Sequence, residues 1–248
     1  MPTATFQILR GDVHEGKIES YTLEISEGMV VLDAVLEIQA KHANDLAVRW
    51  NCKAGHCGSC SAEVNGKPKL MCMCRMNELP IDKPVLLQPM KAFPLIKDLV
   101  TDVSRNFEIK KKIKKFKPRK PDAADGTWRM AQEDIDRVQE FRKCIECFLC
   151  QDVCHVIREH QLQDQFIGPR YFVHVASLEM HPLDVEDRLE DLKRANGIGY
   201  CNITKCCTNV CPQEITITDN AIIPMKERVA DRFYDPVKRF FRKFWQRK

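Results

Sequence analysis

Cys144-Ile-Glu-Cys147-Phe-Leu-Cys150-Gln-Asp-Val-Cys154 decides how the rest of the chain is read. Three cysteines spaced two residues apart can converge from one tight loop. A fourth, three residues further on, points away from them. Cys-x2-Cys-x2-Cys-x3-Cys is the bacterial-type run that wraps a cubane iron–sulfur cluster, its fourth cysteine serving a second cluster. The run therefore predicts a matching cysteine group elsewhere, and Cys201, Cys207 and Cys211-Pro212 supply one. The chemistry these residue types imply is electron transfer.

The bulk composition leaves room for this. At 248 residues the chain can form one large or two modest domains. Its 13 cysteines are odd in number and clustered, which argues against a secreted disulfide framework and for thiols kept free for metal in a reducing compartment. The start, Met1-Pro-Thr-Ala-Thr-Phe, has neither a basic region nor an apolar core of the signal-peptide kind. No window approaches the ~20 apolar residues needed to cross a bilayer, so a soluble or peripheral protein is expected. A net charge of +4 is mild and implies no nucleic-acid partner.

Outward from the central run, residues 3–9 and 20–25 alternate polar and apolar positions, with Gly11 and Gly16 punctuating a hairpin between them. Val31, Leu32, Val35, Leu36 and Ile38 follow helical spacing over about 29–42. A small α+β domain is expected. Cys52-Lys-Ala-Gly-His-Cys57-Gly-Ser-Cys60 then gives Cys-x4-Cys-x2-Cys, the plant-type 2Fe–2S spacing, which needs one more distant cysteine. Leu70-Met-Cys72-Met-Cys74 offers two, and periodicity does not choose between them. Gly55, Gly58 and Ser59 let the backbone curl closely and aim N–H groups at sulfur. His56 reads as a solvent-facing loop residue, because a Rieske-type iron needs two histidines.

Residues 84–88 read as a last strand and 93–100 as a short helix, with a domain boundary near 105. Residues 110–121 carry eight basic side chains in eleven positions, ending in prolines; a solvated linker is the plain reading, and docking onto an acidic surface or lipid heads the functional one. Helices are expected over 132–143, 171–180 and 185–195. Another should run from Thr218, with Pro224 inside it.

On the bacterial spacing the second group should have ligands at 201, 204, 207 and 211, but position 204 is Thr. The crossed rule places Cys211 with Cys144, Cys147 and Cys150 on a complete 4Fe–4S cluster. Cys154 then joins Cys201 and Cys207 at a site with three thiolates. A cubane corner without a thiolate tends to lose its iron, so Thr204 predicts a 3Fe–4S cluster. Cys206 reads as a packing or hydrogen-bonding neighbour.

Together the three motifs resemble the iron–sulfur subunit of succinate dehydrogenase and fumarate reductase (complex II) over essentially the whole chain. That resemblance implies an N-terminal β-grasp plant-type 2Fe–2S ferredoxin domain (1–105) and a mainly α-helical bacterial-type two-cluster ferredoxin domain (106–248). It selects Cys72 as the fourth 2Fe–2S ligand through the x11 gap after Cys60, leaving Cys74 as a small buried hydrophobe. It implies a relay from the FAD of a separate flavoprotein subunit through 2Fe–2S, 4Fe–4S and 3Fe–4S clusters to a quinone at a membrane anchor. No catalytic residue for dicarboxylate chemistry is expected in this chain. Where many members have Cys-Pro this chain has Cys154-His155; a Trp position is Glu159; a His position is Asn202. A different quinone pocket is expected, with menaquinone a candidate and His155 and Asn202 near its wall.

The tail, Arg232 to Lys248, interleaves aromatic and basic residues at roughly helical spacing, as interfacial helices do. The expected setting is the cytoplasmic face of a bacterial inner membrane, peripheral and held by the anchor subunit. Competing readings are a fumarate reductase wire running the other way, the iron–sulfur subunit of another quinone-linked oxidoreductase, and a soluble ferredoxin-like carrier.

Overall fold

Alternation in the first residues builds a hairpin. In a computed structural model that describes residues 2–236, β1 (Thr3–Gly11) pairs antiparallel with β2 (Gly16–Glu24). Alternate residues of β1, including Phe6 and Ile8, are fully buried. The turn needs Gly11: at φ +122° a Cβ there would lie 2.0 Å from the Glu15 carbonyl oxygen. Helix α1 (Val31–Lys41) buries Leu32, Val35 and Ile38 in the same core. Strands β3 (Ser61–Val64) and β4 (Lys67–Leu70) form a second hairpin, and β5 (Val85–Gln88) runs parallel to β1. The sheet order is β2-β1-β5-β3-β4. A mixed sheet closed by one helix is the β-grasp arrangement.

The expected helix over 93–100 is not there. Those residues form a tight hairpin of β6 (Leu95–Lys97) and β7 (Val100–Thr101). The reason is Asp98, fully buried at the turn. Its carboxylate accepts from the backbone N–H of Gly11 and of Ala47, both at 2.7 Å, and Arg10 Nε lies 3.1 Å away. A left-handed Asp98 (φ 51°) satisfying two distant donors outweighs the weak helical periodicity of Leu95, Ile96 and Leu99.

The chain divides into two compact units. One holds the residues through Asn106 together with Ile145–Val153 and Val210–Gln213; the other holds Phe107–Cys144, Cys154–Asn209 and the residues from Glu214. Helix α2 (Ser104–Lys112) carries the chain from the first to the second. The first unit is thus completed by two short segments far along the sequence, and Cys147 and Leu149 belong to its hydrophobic core.

The second unit is mainly helical. Helix α3 (Gln132–Gln139) tightens into a 3-10 turn (Glu140–Lys143). Helix α4 (Leu149–Asp152) belongs to the first unit, and α5 (His155–Arg158) follows in the second. Helix α6 (Pro169–Glu179) stands where one was expected over 171–180, starting two residues earlier and ending one earlier. The helix expected over 185–195 shrinks to α7 (Leu189–Lys193), because Asp184, Glu186 and Arg188 are drawn into a polar clamp. Arg188, 1% exposed, donates to the carbonyls of Lys114 (2.9 Å) and Lys115 (2.7 Å) and to Asp184 Oδ2 (2.8 Å). The basic run 110–121 is therefore no free linker. It is pinned by that guanidinium and by Arg119 N donating to Leu183 O and Val185 N donating to Lys117 O, with Ile113 buried.

After α8 (Cys206–Asn209), a π-turn (Ile217–Ile222) leads into α9 (Ile223–Phe233). The π-turn and α9 are continuous from Ile217 to Phe233, so Pro224 lies inside the helical run as expected, and its missing N–H falls at the junction where the π-turn gives way to the first turn of α9. The rest of the tail helix expected from the sequence, 237–248, lies outside the described residues. Among the described residues no helix is long and apolar enough to cross a membrane.

Candidate iron–sulfur sites

All three cysteine loops share one backbone device. Residues in the left-handed region sit beside the cysteines: Lys53, Gly55 and Gly58 in the first, Glu146 and Phe148 flanking Cys147 in the second, Ile203 and Lys205 in the third. Only two of these seven are glycines, and each of the others costs roughly 1–3 kcal/mol unless its surroundings hold it. Left-handed residues alternating with right-handed ones turn successive N–H groups towards one point and make an anion-binding nest, the kind of concavity that suits an iron–sulfur cluster with its thiolates. The donor chemistry and the backbone therefore fit such clusters.

The first loop shows the device at work. Ala54 N and His56 N both donate to Cys52 Sγ, at 3.4 and 3.3 Å, and Ser59 N donates to Cys57 Sγ at 3.5 Å. Burial opposes ionisation of Cys57, but hydrogen bonds from Cys52 and Ser59 outweigh it and the thiol falls to about 6. Cys60 behaves oppositely: burial, with the neighbouring Cys72 thiol, pushes it up to about 12. Cys72 lies in a 3-10 turn (Met71–Met73) that is tied to Cys60 by the Met71 N–H donating to the Cys60 carbonyl at 3.0 Å. Cys74 is 2% exposed and faces the core and Lys69 Nζ at 3.9 Å instead; burial raises its pKa. His56 is exposed.

The second loop abuts the first within the same unit. A Cβ on Gly58 would come 2.7 Å from Cys147 Cα, so only glycine lets the two loops meet. Ser61 Oγ hydrogen-bonds the carbonyls of Gly58 and Cys147, each at 2.9 Å. Asp152, fully buried, accepts from Ala92 N at 2.9 Å and fixes α4, which carries Cys150. Gln213, two residues past Cys211, donates to Gly55 O at 3.0 Å. Cys147, Cys150 and Cys211 thus fall in the first unit, while Cys144 ends the preceding 3-10 turn in the second.

The third group lies wholly in the second unit: Cys154, Cys201, Cys206 and Cys207. Burial pushes Cys154 up to about 12, with Cys206 and Cys207 adding to it. Burial likewise raises Cys207 to about 11, with Cys206 and Cys201 contributing and a hydrogen bond from Thr218 opposing. Thr218 Oγ1 is 3.4 Å from Cys207 Sγ, and its N–H donates to Thr208 Oγ1 at 3.0 Å. The π-turn that presents Thr218 is tied down by Glu140, which accepts from Thr216 N and Asn220 Nδ2. Lys226 Nζ bonds Cys201 O at 2.6 Å. Thr204 is exposed, and its hydroxyl lies 3.3 Å from Cys206 Sγ. Asn202 is exposed; His155 is half-buried, with Nε2 shut off from solvent and a T-shaped contact to His160.

Sequence reasoning missed three of these residues. Ser61 and Asp152 act over long sequence separations and give no local signal. Thr218 looks like a helix cap; only its approach to Cys207 shows the other use of its hydroxyl.

Comparison with known proteins agrees with the geometry. Residues 5–108 match the family of 2Fe-2S iron-sulfur cluster binding domains, and residues 140–215 the 4Fe-4S dicluster domain. The chain is 30% identical over 209 residues to the fumarate reductase iron-sulfur subunit of Mycobacterium tuberculosis, covering 79% of this chain and 80% of that one. It is 30% identical over 234 residues to the succinate dehydrogenase iron-sulfur subunit of Bacillus subtilis, covering 87% and 88%. A chain of the Mycobacterium smegmatis Sdh1 complex in the apo form shares 56% identity over 95% of this chain and 98% of that one, at a TM-score of 0.91. This chain belongs to the family of succinate dehydrogenase and fumarate reductase iron–sulfur subunits.

Proposed function

We propose that this chain is the electron-transfer subunit of a membrane-bound succinate:quinone oxidoreductase. It relays electrons between the FAD of a flavoprotein subunit and quinone at a membrane anchor. Cys52, Cys57, Cys60 and Cys72 hold a 2Fe–2S cluster. Cys144, Cys147, Cys150 and Cys211 hold a 4Fe–4S cluster, and Cys154, Cys201 and Cys207 a 3Fe–4S cluster, with Thr204 at the corner that lacks a thiolate. The clusters supply the redox chemistry; the chain binds them, spaces them and keeps water from them.

One observation carries the relay. The loop of Cys57 and Cys60 meets the loop of Cys147 so closely that Gly58 admits no side chain. Two ligand loops pressed together support neighbouring positions for the first two clusters. Cys150, in α4, and Cys154, just before α5, are close neighbours in sequence. These connections support the order 2Fe–2S, 4Fe–4S, 3Fe–4S.

At the quinone end, His155 directly follows a ligand of the last cluster and has a buried Nε2 without a hydrogen-bond partner. That orphaned nitrogen supports His155, with Asn202, as the quinone-facing wall; menaquinone is the candidate quinone. The basic aromatic tail supports a peripheral position on the cytoplasmic face of a bacterial inner membrane. Fumarate reduction would use the same wire in reverse, and the cluster potentials decide the direction.

Low-temperature EPR of the isolated complex during a redox titration tests the proposal. Three distinct cluster signals are expected, including that of an oxidised three-iron cluster. Two clusters only, or a complex without a flavin partner, would reject it.

A further inference from the structure

Cys206 has no place in the relay, yet it stands among the ligands of the last cluster. It is next to Cys207 and opens the short helix α8 that carries both. Its sulfur lies 3.3 Å from the Thr204 hydroxyl, the side chain at the corner where the bacterial spacing calls for a thiolate. It is half-buried, with a free thiol. The residues on either side of Thr204, Ile203 and Lys205, are both left-handed, so the segment bearing the corner is held away from its relaxed path.

We propose that Cys206 is a reserve fourth ligand, held off the open corner by Thr204, which lets the last site take up a ferrous ion and become a 4Fe–4S cluster. The proposal rests on the three-iron assignment made above. The three-iron cluster first accepts one electron, from dithionite or from the relay. A ferrous ion then enters the open corner, the Cys206 thiol releases its proton to solvent, and an iron–sulfur bond forms at Sγ. No bond to Cys154, Cys201 or Cys207 breaks. A neutral reduced core and a dipositive ferrous ion give a dipositive four-iron core. Thr204 loses its contact with the sulfur and gains nothing, so iron-poor conditions favour return to the three-iron state.

The test uses the intact purified complex. It is reduced anaerobically with dithionite in the presence of ferrous 57Fe, and followed by EPR and Mössbauer spectroscopy. In the wild type the three-iron signal should disappear as 57Fe enters, with the isomer shift of iron bound by sulfur alone. Cys206→Ser and Cys206→Ala should keep the three-iron signal and take up at least about tenfold less iron, since even an outer-shell partner commands that much. The EPR signals of the other two clusters report whether each variant is folded. If a variant fails to assemble, the wild-type isomer shift still decides: a value typical of a shell containing oxygen or nitrogen overturns the proposal. Uptake by the variants equal to wild type, or no uptake by the wild type, also overturns it while leaving the three-iron reading intact. Absence of any three-iron signal in all the oxidised samples overturns both.

Discussion

Gly58 and Gly66 are both left-handed, at φ +71° and +74°, but only Gly58 has a neighbour. Gly66→Ala should cost about 1–2 kcal/mol, the strain of the conformation alone. Gly58→Ala adds a clash with the Cys147 backbone that no rotamer relieves, so it should cost more than about 3 kcal/mol and bleach the visible absorption of the cluster. Thermal unfolding of the two variants side by side checks this; equal losses would mean that the loops do not meet. The thiols give a second prediction. In the iron-free chain Cys57, with its pKa near 6, should be alkylated by iodoacetamide at pH 7 at least about tenfold faster than Cys60 or Cys154. Its rate should be flat above pH 7 and fall as pH drops through 6, because protonation removes the nucleophile, while that of Cys60 should still be rising beyond pH 9. Mass-spectrometric peptide mapping reads both. The cysteine spacings were legible because a ligand loop is local: sequence separation and geometry are nearly the same thing there. The left-handed Glu146, Phe148, Ile203 and Lys205 were not legible, since nothing in those residue types announces positive φ. Their surroundings impose it.

At the scale of elements, the strongest feature is the Arg188 clamp. One guanidinium, fully buried, satisfies the carbonyls of Lys114 and Lys115 and pairs with Asp184, with Glu179 Oε2 at 3.7 Å. Burial raises the pKa of Glu179, so its pocket tolerates a second negative charge poorly. Arg188→Met leaves Asp184 buried without its cation and should destabilise the second unit by about 3–5 kcal/mol. It should also free the run 110–121, which trypsin will then cut at Lys114 and Lys115 where the native chain resists; unchanged cleavage would show that the clamp does not hold the run. Alternation revealed β1 and β2, and 3.6-residue spacing revealed α1 and α6, because each buries one face against a core. The hairpin of β3 and β4 escaped notice although Asn65-Gly66, at φ 51° and 74°, is the dipeptide that two-residue hairpins prefer. The β6–β7 hairpin and the shortening of α7 had no such signal. Buried Asp98 and Arg188 decide them through partners dozens of residues away.

At the scale of the whole molecule, two units and two ferredoxin-type sequence segments do not coincide. The first unit needs Ile145–Val153 and Val210–Gln213, which lie inside the dicluster segment. A fragment ending at Asn106 loses Cys147 and Leu149 from its core and exposes what they cover. Expressed alone, it should unfold at least about 5 °C below the same unit in the full chain, a loss of around 1 kcal/mol. Calorimetry checks this, and an unchanged transition would mean that the late segments contribute nothing. The motifs told which clusters to expect. They did not tell that the middle ligand loop would be folded into the first unit's core, because a motif scan weighs neighbours in sequence and a core is assembled from neighbours in space.

The interleaving has a consequence for biosynthesis. The backbone passes between the units at residues 106/107, 144/145, 153/154, 209/210 and 213/214. As the polypeptide leaves the ribosome, the residues through Asn106 emerge first but wait for Val210–Gln213, far downstream, before the last segment of their unit arrives. Cofactor loading of the first two ligand loops is therefore a late, concerted event of maturation. A chain stalled or clipped before Gln213 leaves both unfinished.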